Sequence, residues 1–398
     1  AKGTYSLTVP KVVNVKLKGS LKPWSSAKDV ILKVLKELTV KGGVGKVVEY
    51  TGPGVSSLSV TDRATITNMG AELGATTSIF PSDDNTRAYL KSQGREEDYV
   101  SLSADEDAVY DETLEIDLDE LNPLAAMPHS PDNIDSVANI GKIKIDQVAI
   151  GSCTNSSYTD LMKVAGILKG KKIHPDVSFV ISPGSSTILH KLAENGALAD
   201  LIGAGARIIE NACGPCIGMG QSPKSGAISL RTFNRNFKGR SGTNDAMVYL
   251  VSPETAAISA VYGVLTDGST TDDFIPQVKM VDFEKSDNFI VYPTGHSKGN
   301  TPVEMGPNIK PFPRNNPLSG DLKAKVCLHA GDNITTDDIM PSDSRLLPYR
   351  SNIPYLSNFC FEKIDSGFAK RCEDAKECAI IGGENYGQGS SREHAALA

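Results

Sequence analysis

Three cysteines lie in two glycine-flanked segments, Cys153 in IGSCTNS and Cys213 with Cys216 in NACGPCIGMG. Alone, a C-x-x-C pair suits a redox couple, half of a zinc site or two buried thiols. The small flanking residues narrow this, because they let backbone N–H groups approach a bulky inorganic ligand and hydrogen-bond its sulfurs. A structural zinc site would want a second C-x-x-C or paired histidines, and the six histidines are scattered, none near these cysteines in sequence. Electron-transfer clusters usually take four cysteine ligands, whereas three leave one iron open to substrate as a Lewis acid. Three ligands therefore point to catalysis. Cys327, Cys360, Cys372 and Cys378 offer a fourth ligand in principle, but they follow a linker-like stretch and read as buried, inert thiols.

Three further groups of residues fit a small polyanionic substrate. Asn234, Arg235 and Arg240 lie in the polar loop FNRNFKGR, where arginine forks would match carboxylates bidentately; the plain alternative is a pair of surface arginines. Ser390, Ser391 and Arg392 stand in ENYGQGSSREH, where a glycine-rich loop meets a helix. Free N–H groups there favour anions and lower the cost of a serine alkoxide, although a simple N-cap would look the same. Glu49 ends the strand GKVVEY and Asp337 lies in GDNITTDDIMP; each is a candidate acid or base and weak evidence by itself.

The elements that must position these residues alternate in the α/β manner. KVVNVKLKG reads as a strand, SSAKDVILKVLKEL as a helix capped by Ser25 or Ser26, and GKVVEYTGPG as a strand and turn before TDRATITNMGAELGA. A second unit begins near Lys144. Its strands DQVAIGSC, VSFVISPG, ARIIENACG and AMVYLVSP alternate with helices in SSYTDLMKVAGILKG, on through Leu201, and in ETAAISAVYGVL. The pattern predicts mostly parallel sheets, and in such sheets ligands bind beyond the carboxyl ends of the strands, where both cysteine turns fall. The boundaries expected are a first α/β domain over 1–110, an acidic connection over 111–143 and a cysteine-bearing α/β domain over 144–270. A linker rich in Pro, Gly, Asn and Lys follows over 271–322, and a third unit over 323–398 with strands KVCLHAG and ECAIIGG.

With 398 residues and 42.3 kDa the chain is long enough for several cores. Its formal charge of −7 and the acidic run from Ala104 to Glu120 offer nucleic acid no basic stripe, and the run fits no calcium loop, so it is assigned no function. No apolar run approaches the roughly 20 residues of a membrane span. Seven cysteines without a signal peptide fit a reducing compartment, the cytoplasm or, alternatively, the mitochondrial matrix. The chain begins at Ala1 and stops at Ala398 inside an apparent helix start, and reads as a fragment.

Taken together and in this order, GSCTNSSYTDL, ENACGPCIGMG, FNRNFKGR, NITTDDI and GENYGQGSSREHAAL resemble the aconitase family, as does KVVEYTGPGVSSLSVTDRATITNMGAELGATTSIFP; the likeness extends over essentially the whole chain. The resemblance implies multi-domain, three-layer α/β/α units followed by the start of a swivelling α/β domain. It implies a hydro-lyase that interconverts citrate and isocitrate through cis-aconitate, with a 4Fe-4S cluster as its cofactor. Cys153, Cys213 and Cys216 match its ligands and Ser390 the serine that takes a proton from carbon. Ser391, Arg392, Arg235 and Arg240 match substrate contacts, Asn234 an asparagine near the cluster, and Glu49 and Asp337 active-site carboxylates. Arg350 in LLPYRSNIP matches a substrate arginine, with Arg345 as a weaker candidate. The family's N-terminal domain has no counterpart here, its last domain breaks off shortly after Arg392, and Asp338 stands where mitochondrial members have histidine. A compact bacterial-type member, inactive as a fragment and monomeric, is expected. The alternatives are a homoaconitase or isopropylmalate isomerase and, in other classes, an iron-sensing RNA-binding relative, an electron carrier or a zinc-stabilised module.

Overall fold

A computed structural model describes residues 8–279, 281–283, 290–292, 304–314, 317, 320–375 and 377–398, so part of the expected linker over 271–322 lies outside the described residues. The chain divides into two compact units, residues 1–288 and 289–398.

The first unit contains two sheets. β1 (Lys11–Lys18), β2 (Lys46–Thr51), β3 (Thr77–Ile79) and β4 (Glu112–Asp117) form one in the order β3-β2-β1-β4, all parallel. The helix Ala27–Leu38 covers it. Ser26 caps that helix through a capping box with Asp29, and its apolar face (Val30, Ile31, Val34, Leu35) is fully buried. The stretch expected to be a connection from residue 111 instead supplies β4, which pairs with β1 along its length from Val13↔Glu112 to Lys18↔Asp117. Its acidic residues Glu115 and Glu112 meet Lys18 of the adjacent β1 and, across β1, Lys46 of β2, so the charges that read as a solvated linker are partners of the sheet's lysines.

The second sheet combines β5 (Leu124–Ala126), β6 (Ile134–Ser136), β7 (Gln147–Gly151), β8 (Ser178–Ser182), β9 (Arg207–Ile208), β10 (Ile228–Arg231) and β11 (Met247–Leu250) in the order β6-β5-β11-β10-β7-β8-β9. Only β5 pairs in the antiparallel sense, with β11 on one side and the edge strand β6 on the other. From β7 the chain winds outward one way through β8 and β9 and the other way through β10 and β11, so the topological switch lies between β7 and β10. The strand β10, too short to announce itself in the sequence, is thus one of the two that frame the switch.

The second unit contains β12 (Lys325–Gly331) and β13 (Cys378–Gly382), paired in parallel, with the helix Phe368–Ala375 and a core of Leu328, Ile334, Met340, Leu346, Leu356 and Phe361. Among the described residues no helix is long and apolar enough to cross a membrane.

Candidate metal and substrate site

The Cys153 turn is set by what fits at the end of β7. Gly151 has φ 141°, and a Cβ there would lie 2.2 Å from the Ser182 carbonyl oxygen, so no side chain is accommodated. Ser152 follows with φ 66°, a left-handed conformation uncommon for a non-glycine residue. Thr232, just past β10, accepts a hydrogen bond from the Gly151 N–H at 2.9 Å, and Thr65 donates to the Thr154 carbonyl at 2.9 Å. The turn therefore aims Cys153 outward, exposed, with its sulfur 3.9 Å from the Asn68 side-chain oxygen on the helix Val60–Gly70.

The second cysteine segment is fixed from behind by a buried cation. Arg231, fully buried at the end of β10, donates to the Pro215 carbonyl between Cys213 and Cys216, to Gln147 at 2.8 Å and to the Gln221 carbonyl at 3.1 Å. Gly218, at φ 83°, closes the loop where a Cβ would meet the Ser241 carbonyl oxygen at 2.4 Å. Cys213 is exposed and Cys216 buried; both are free thiols, as is Cys153. Cys153 and Cys213 line one cavity of about 410 Å³ with Ser152, Asn211 and Ala212. A hydrogen bond from Cys213, opposed by burial and reinforced by Arg240 at 3.8 Å, holds the Cys216 thiol down to about 5. Three free thiols, one favoured as thiolate and two facing a cavity, suit an inorganic group held by three sulfurs.

The loop after β10 joins this site. Lys28, wholly buried on the helix Ala27–Leu38, donates to the carbonyls of Thr232 and Phe233 at 2.9 and 2.6 Å, immediately before Asn234 and Arg235. Asn234 lies 3.9 Å from the Cys216 sulfur and donates to Glu72 at 3.2 Å. Arg235 donates to both Glu72 carboxylate oxygens at 2.8 and 3.1 Å. Burial pushes the Glu72 carboxyl above its ordinary range, against the opposing pull of Arg235 and Arg240.

In the second unit, Asp337 and Arg392 form an ion pair at 2.6 Å, and Ser342 donates to the same carboxylate at 3.0 Å. Burial favours the neutral acid there, but the Arg392 guanidinium outweighs it and holds Asp337 below its ordinary value. The Thr336 hydroxyl donates to the Ser390 carbonyl at 2.7 Å and so ties the serine loop to the start of the helix Thr336–Ile339. Ser390 is half-buried and Ser391 and Arg350 are exposed. The helix after them, Glu393–Leu397, has five residues and is capped by Arg392 without a side-chain bond, so the serines are not the N-cap. Arg345 pairs with Glu362 at 2.6 Å.

Comparison with known proteins identifies the scaffold. A protein-family model described as the aconitase family (aconitate hydratase) matches residues 1–140 and 134–263, and one for the aconitase C-terminal domain matches 364–398. The chain belongs to the aconitase family. It is 44% identical over 267 residues to a 3-isopropylmalate dehydratase large subunit of Caldanaerobacter subterraneus, a match covering 67% of this chain and 63% of that one. It is 34% identical to a probable mitochondrial aconitate hydratase of Caenorhabditis elegans, covering 99% of this chain and 58% of that one. The chain thus spans less than two thirds of the length of these relatives. A solved aconitase X of Thermococcus kodakaraensis matches with 14% identity over 57% of this chain and 50% of that one; its TM-score of 0.31 is too low to carry an argument.

Within this aconitase-family chain the structure gathers Cys153, Cys213, Cys216, Asn234, Arg235 and Arg240 at the switch between β7 and β10. Glu49 is not among the residues bonded to that group. It lies on β2 opposite Asn14, half-buried, with Tyr110 as its hydrogen-bond partner. The carboxylate at the site is Glu72, which the sequence reading missed. Its signal was NMGAE, in which Asn68 and Glu72 stand four residues apart at a helix end and share a face. Lys28 and Arg231 were missed too, because nothing in a helix pattern or a short strand marks a basic side chain as buried.

Proposed function

We propose that this chain is the cysteine-bearing portion of a hydro-lyase that interconverts citrate and isocitrate through cis-aconitate. The observation that carries the proposal is the meeting of three free thiols with Asn234, Arg235 and Arg240 on one pair of turns. Cys153, Cys213 and Cys216 would hold a 4Fe-4S cluster, which supplies an iron without a cysteine ligand to polarise the leaving hydroxyl.

The chain's own residues supply the rest. Arg235 and Arg240 orient substrate carboxylates and place positive charge where the carboxylate beside the reacting carbon accumulates electrons. Glu72 holds Arg235 in register, and takes over in our reading the role expected of Glu49. Asn234 presents its amide beside Cys216. In the C-terminal unit, Ser390 takes the proton from carbon, and Arg392, kept in place by Asp337, binds a carboxylate together with Ser391 and Arg350. Gly387 and Gln388 give their N–H groups to the Ile334 carbonyl and so fix the loop that carries the serine.

Citrate and isocitrate are favoured over isopropylmalate because the aconitate hydratase relative aligns with 99% of this chain, both units included, whereas the isopropylmalate dehydratase large subunit aligns with 67%. The higher identity of the latter, 44% against 34%, supports the second reading, an isopropylmalate dehydratase. Assaying the full-length, reconstituted enzyme with citrate, isocitrate, homocitrate and isopropylmalate tests both. Turnover of citrate and isocitrate alone is expected; preference for isopropylmalate would replace the first reading with the second.

A further inference from the structure

The C-terminal unit contains a second gathering of sulfur that the proposed reaction does not use. Cys327 on β12, Cys378 on β13 and Cys372 on the helix Phe368–Ala375 have sulfur atoms that all lie within 4.8 Å of one another. Among the described residues, no other group of three histidine, cysteine or carboxylate side chains brings its ligand atoms so close, Cys153, Cys213 and Cys216 included. Cys327 and Cys378 are joined as a disulfide and Cys372 is a free thiol. Cys327 is buried and the other two are half-buried, packed against the core of the unit. Cys360, the unit's fourth cysteine, lines a cavity of about 930 Å³ together with Cys372 and Cys378.

We propose that in the reduced chain Cys327, Cys372 and Cys378 bind a single thiophilic divalent cation of the zinc class, at a site separate from the cluster cysteines. The spacing selects the ligand. A tetrahedral cation with metal–sulfur bonds of about 2.3 Å sets its sulfurs roughly 3.8 Å apart, a spacing that Cys327 and Cys378 reach by parting once their bond is reduced and that Cys372, within 4.8 Å of both, already allows, while a polynuclear cluster spreads its cysteines further. Three thiolates with no nearby histidine or carboxylate in the group are a soft donor set, which suits zinc rather than magnesium or calcium. Arg371 donates to the Cys327 carbonyl at 3.1 and 3.3 Å while pairing with Asp365, and so anchors to β12 the helix that carries Cys372. The fourth position is left for Cys360 or a water molecule.

Loading requires two balanced steps. A dithiol reductant gives two electrons and two protons to the Cys327–Cys378 disulfide, becoming a disulfide itself, and both cysteines become thiols. The cation then displaces one proton from each of the three thiols. The purpose is structural: among the described residues β12 and β13 form the unit's only sheet, and an isolated pair of strands is marginal without a cross-link. The disulfide closes a loop of 51 residues, and a cation held from both strands and the adjacent helix closes the same loop when the disulfide is reduced.

The test uses the full chain carrying Cys213→Ser, which disables the cluster site. The protein is reduced with a dithiol, freed of reductant anaerobically and titrated with cobalt(II). The expected result is one equivalent bound with thiolate-to-cobalt charge-transfer and tetrahedral d–d bands, displaced by one equivalent of zinc and lost on adding Cys372→Ser. Absence of those bands, or their survival in the double variant, would overturn the proposal. To guard against misfolding of the variants, the unsubstituted reduced chain is alkylated with and without zinc and its peptides are mapped. Zinc should slow labelling of Cys327, Cys372 and Cys378 together at least tenfold; unchanged labelling of these three counts against the site.

Discussion

The two halves of the molecule, one unit each, hold their candidate functional residues in different ways. Behind the cysteine turns of the first unit stand two fully buried basic side chains, Arg231 and Lys28, each donating to backbone carbonyls of the loops that carry the functional residues. The serine loop of the C-terminal unit is held mainly by main-chain bonds, from Gly387 and Gln388 to the Ile334 carbonyl and from Thr336 to Gln388, with the Thr336 hydroxyl on Ser390 and Arg392 bonded to Asp337 and the Met340 carbonyl, beside a two-stranded sheet. Residues that must hold several bonds to an inorganic group at once need their backbone fixed beforehand, since each loosened ligand weakens all the others. A serine that moves a proton needs only one oxygen placed well, so a lighter scaffold suffices.

Substitutions should expose this difference. Removing a ligand has the largest effect: full-length Cys213→Ser should assemble no cluster on anaerobic reconstitution, seen as loss of the iron–sulfur absorption and of iron stoichiometry, while most of the fold persists. An intact absorption band would break the assignment of the first half. Ser390→Ala, on the lighter scaffold, should leave cluster and substrate binding in place yet lower turnover about 10²–10⁴-fold, as for loss of a catalytic acid or base. Wild-type kcat there would remove the serine from the second half.

The scaffolds themselves come next. Arg231→Met leaves the Pro215 and Gln221 carbonyls and Gln147 without their buried donor, and should cost about 2–4 kcal/mol in urea unfolding and speed loss of iron. Asp337→Asn leaves the Arg392 guanidinium, whose side chain is 4% exposed, with a neutral acceptor in place of a carboxylate that is itself 32% exposed, and should cost less, about 1–2 kcal/mol. Similar costs for these two would erase the contrast between the halves.

Stability against pH sharpens the comparison last. Burial lowers the Lys28 amine from 10.5 to about 7, so between pH 7 and 10.5 the unfolded chain binds a proton that the folded chain does not. The Lys28 contribution therefore rises with pH across that window, by at most about 1.4 kcal/mol per pH unit, and Lys28→Met should flatten that slope in denaturation midpoints. Asp337, held below its ordinary value by Arg392, acts in acid: its stabilisation is present above pH 3.8 and is lost as pH falls through its lower folded value.

Much of the first half was legible in the sequence because its signals are local. A glycine that admits no Cβ, a cysteine just past a strand and Ser26 with Asp29 as a capping box are all properties of a few consecutive residues. The acidic stretch after residue 110 was misread because alternating charges look alike on a solvated linker and on an edge strand. Only the lysines of β1 and β2 distinguish the two. Glu49 was the carboxylate singled out in the first unit because it ends a strand, whereas Glu72, at a helix end, was passed over, and only the folded chain shows its bonds to Asn234 and Arg235.

By itself, then, the sequence determined the residue types of the chemistry, the α/β alternation and the placing of cysteines at strand ends, all of which follow from patterns a few residues long. The tertiary structure alone decided which carboxylate meets the arginines, which basic side chains lie beneath the loops and which sulfurs converge in the C-terminal unit. Lys28 and Thr232 are 204 residues apart in the chain and 2.9 Å apart in the fold. Contacts of that kind depend on the order in which strands add to a sheet, which no local pattern encodes.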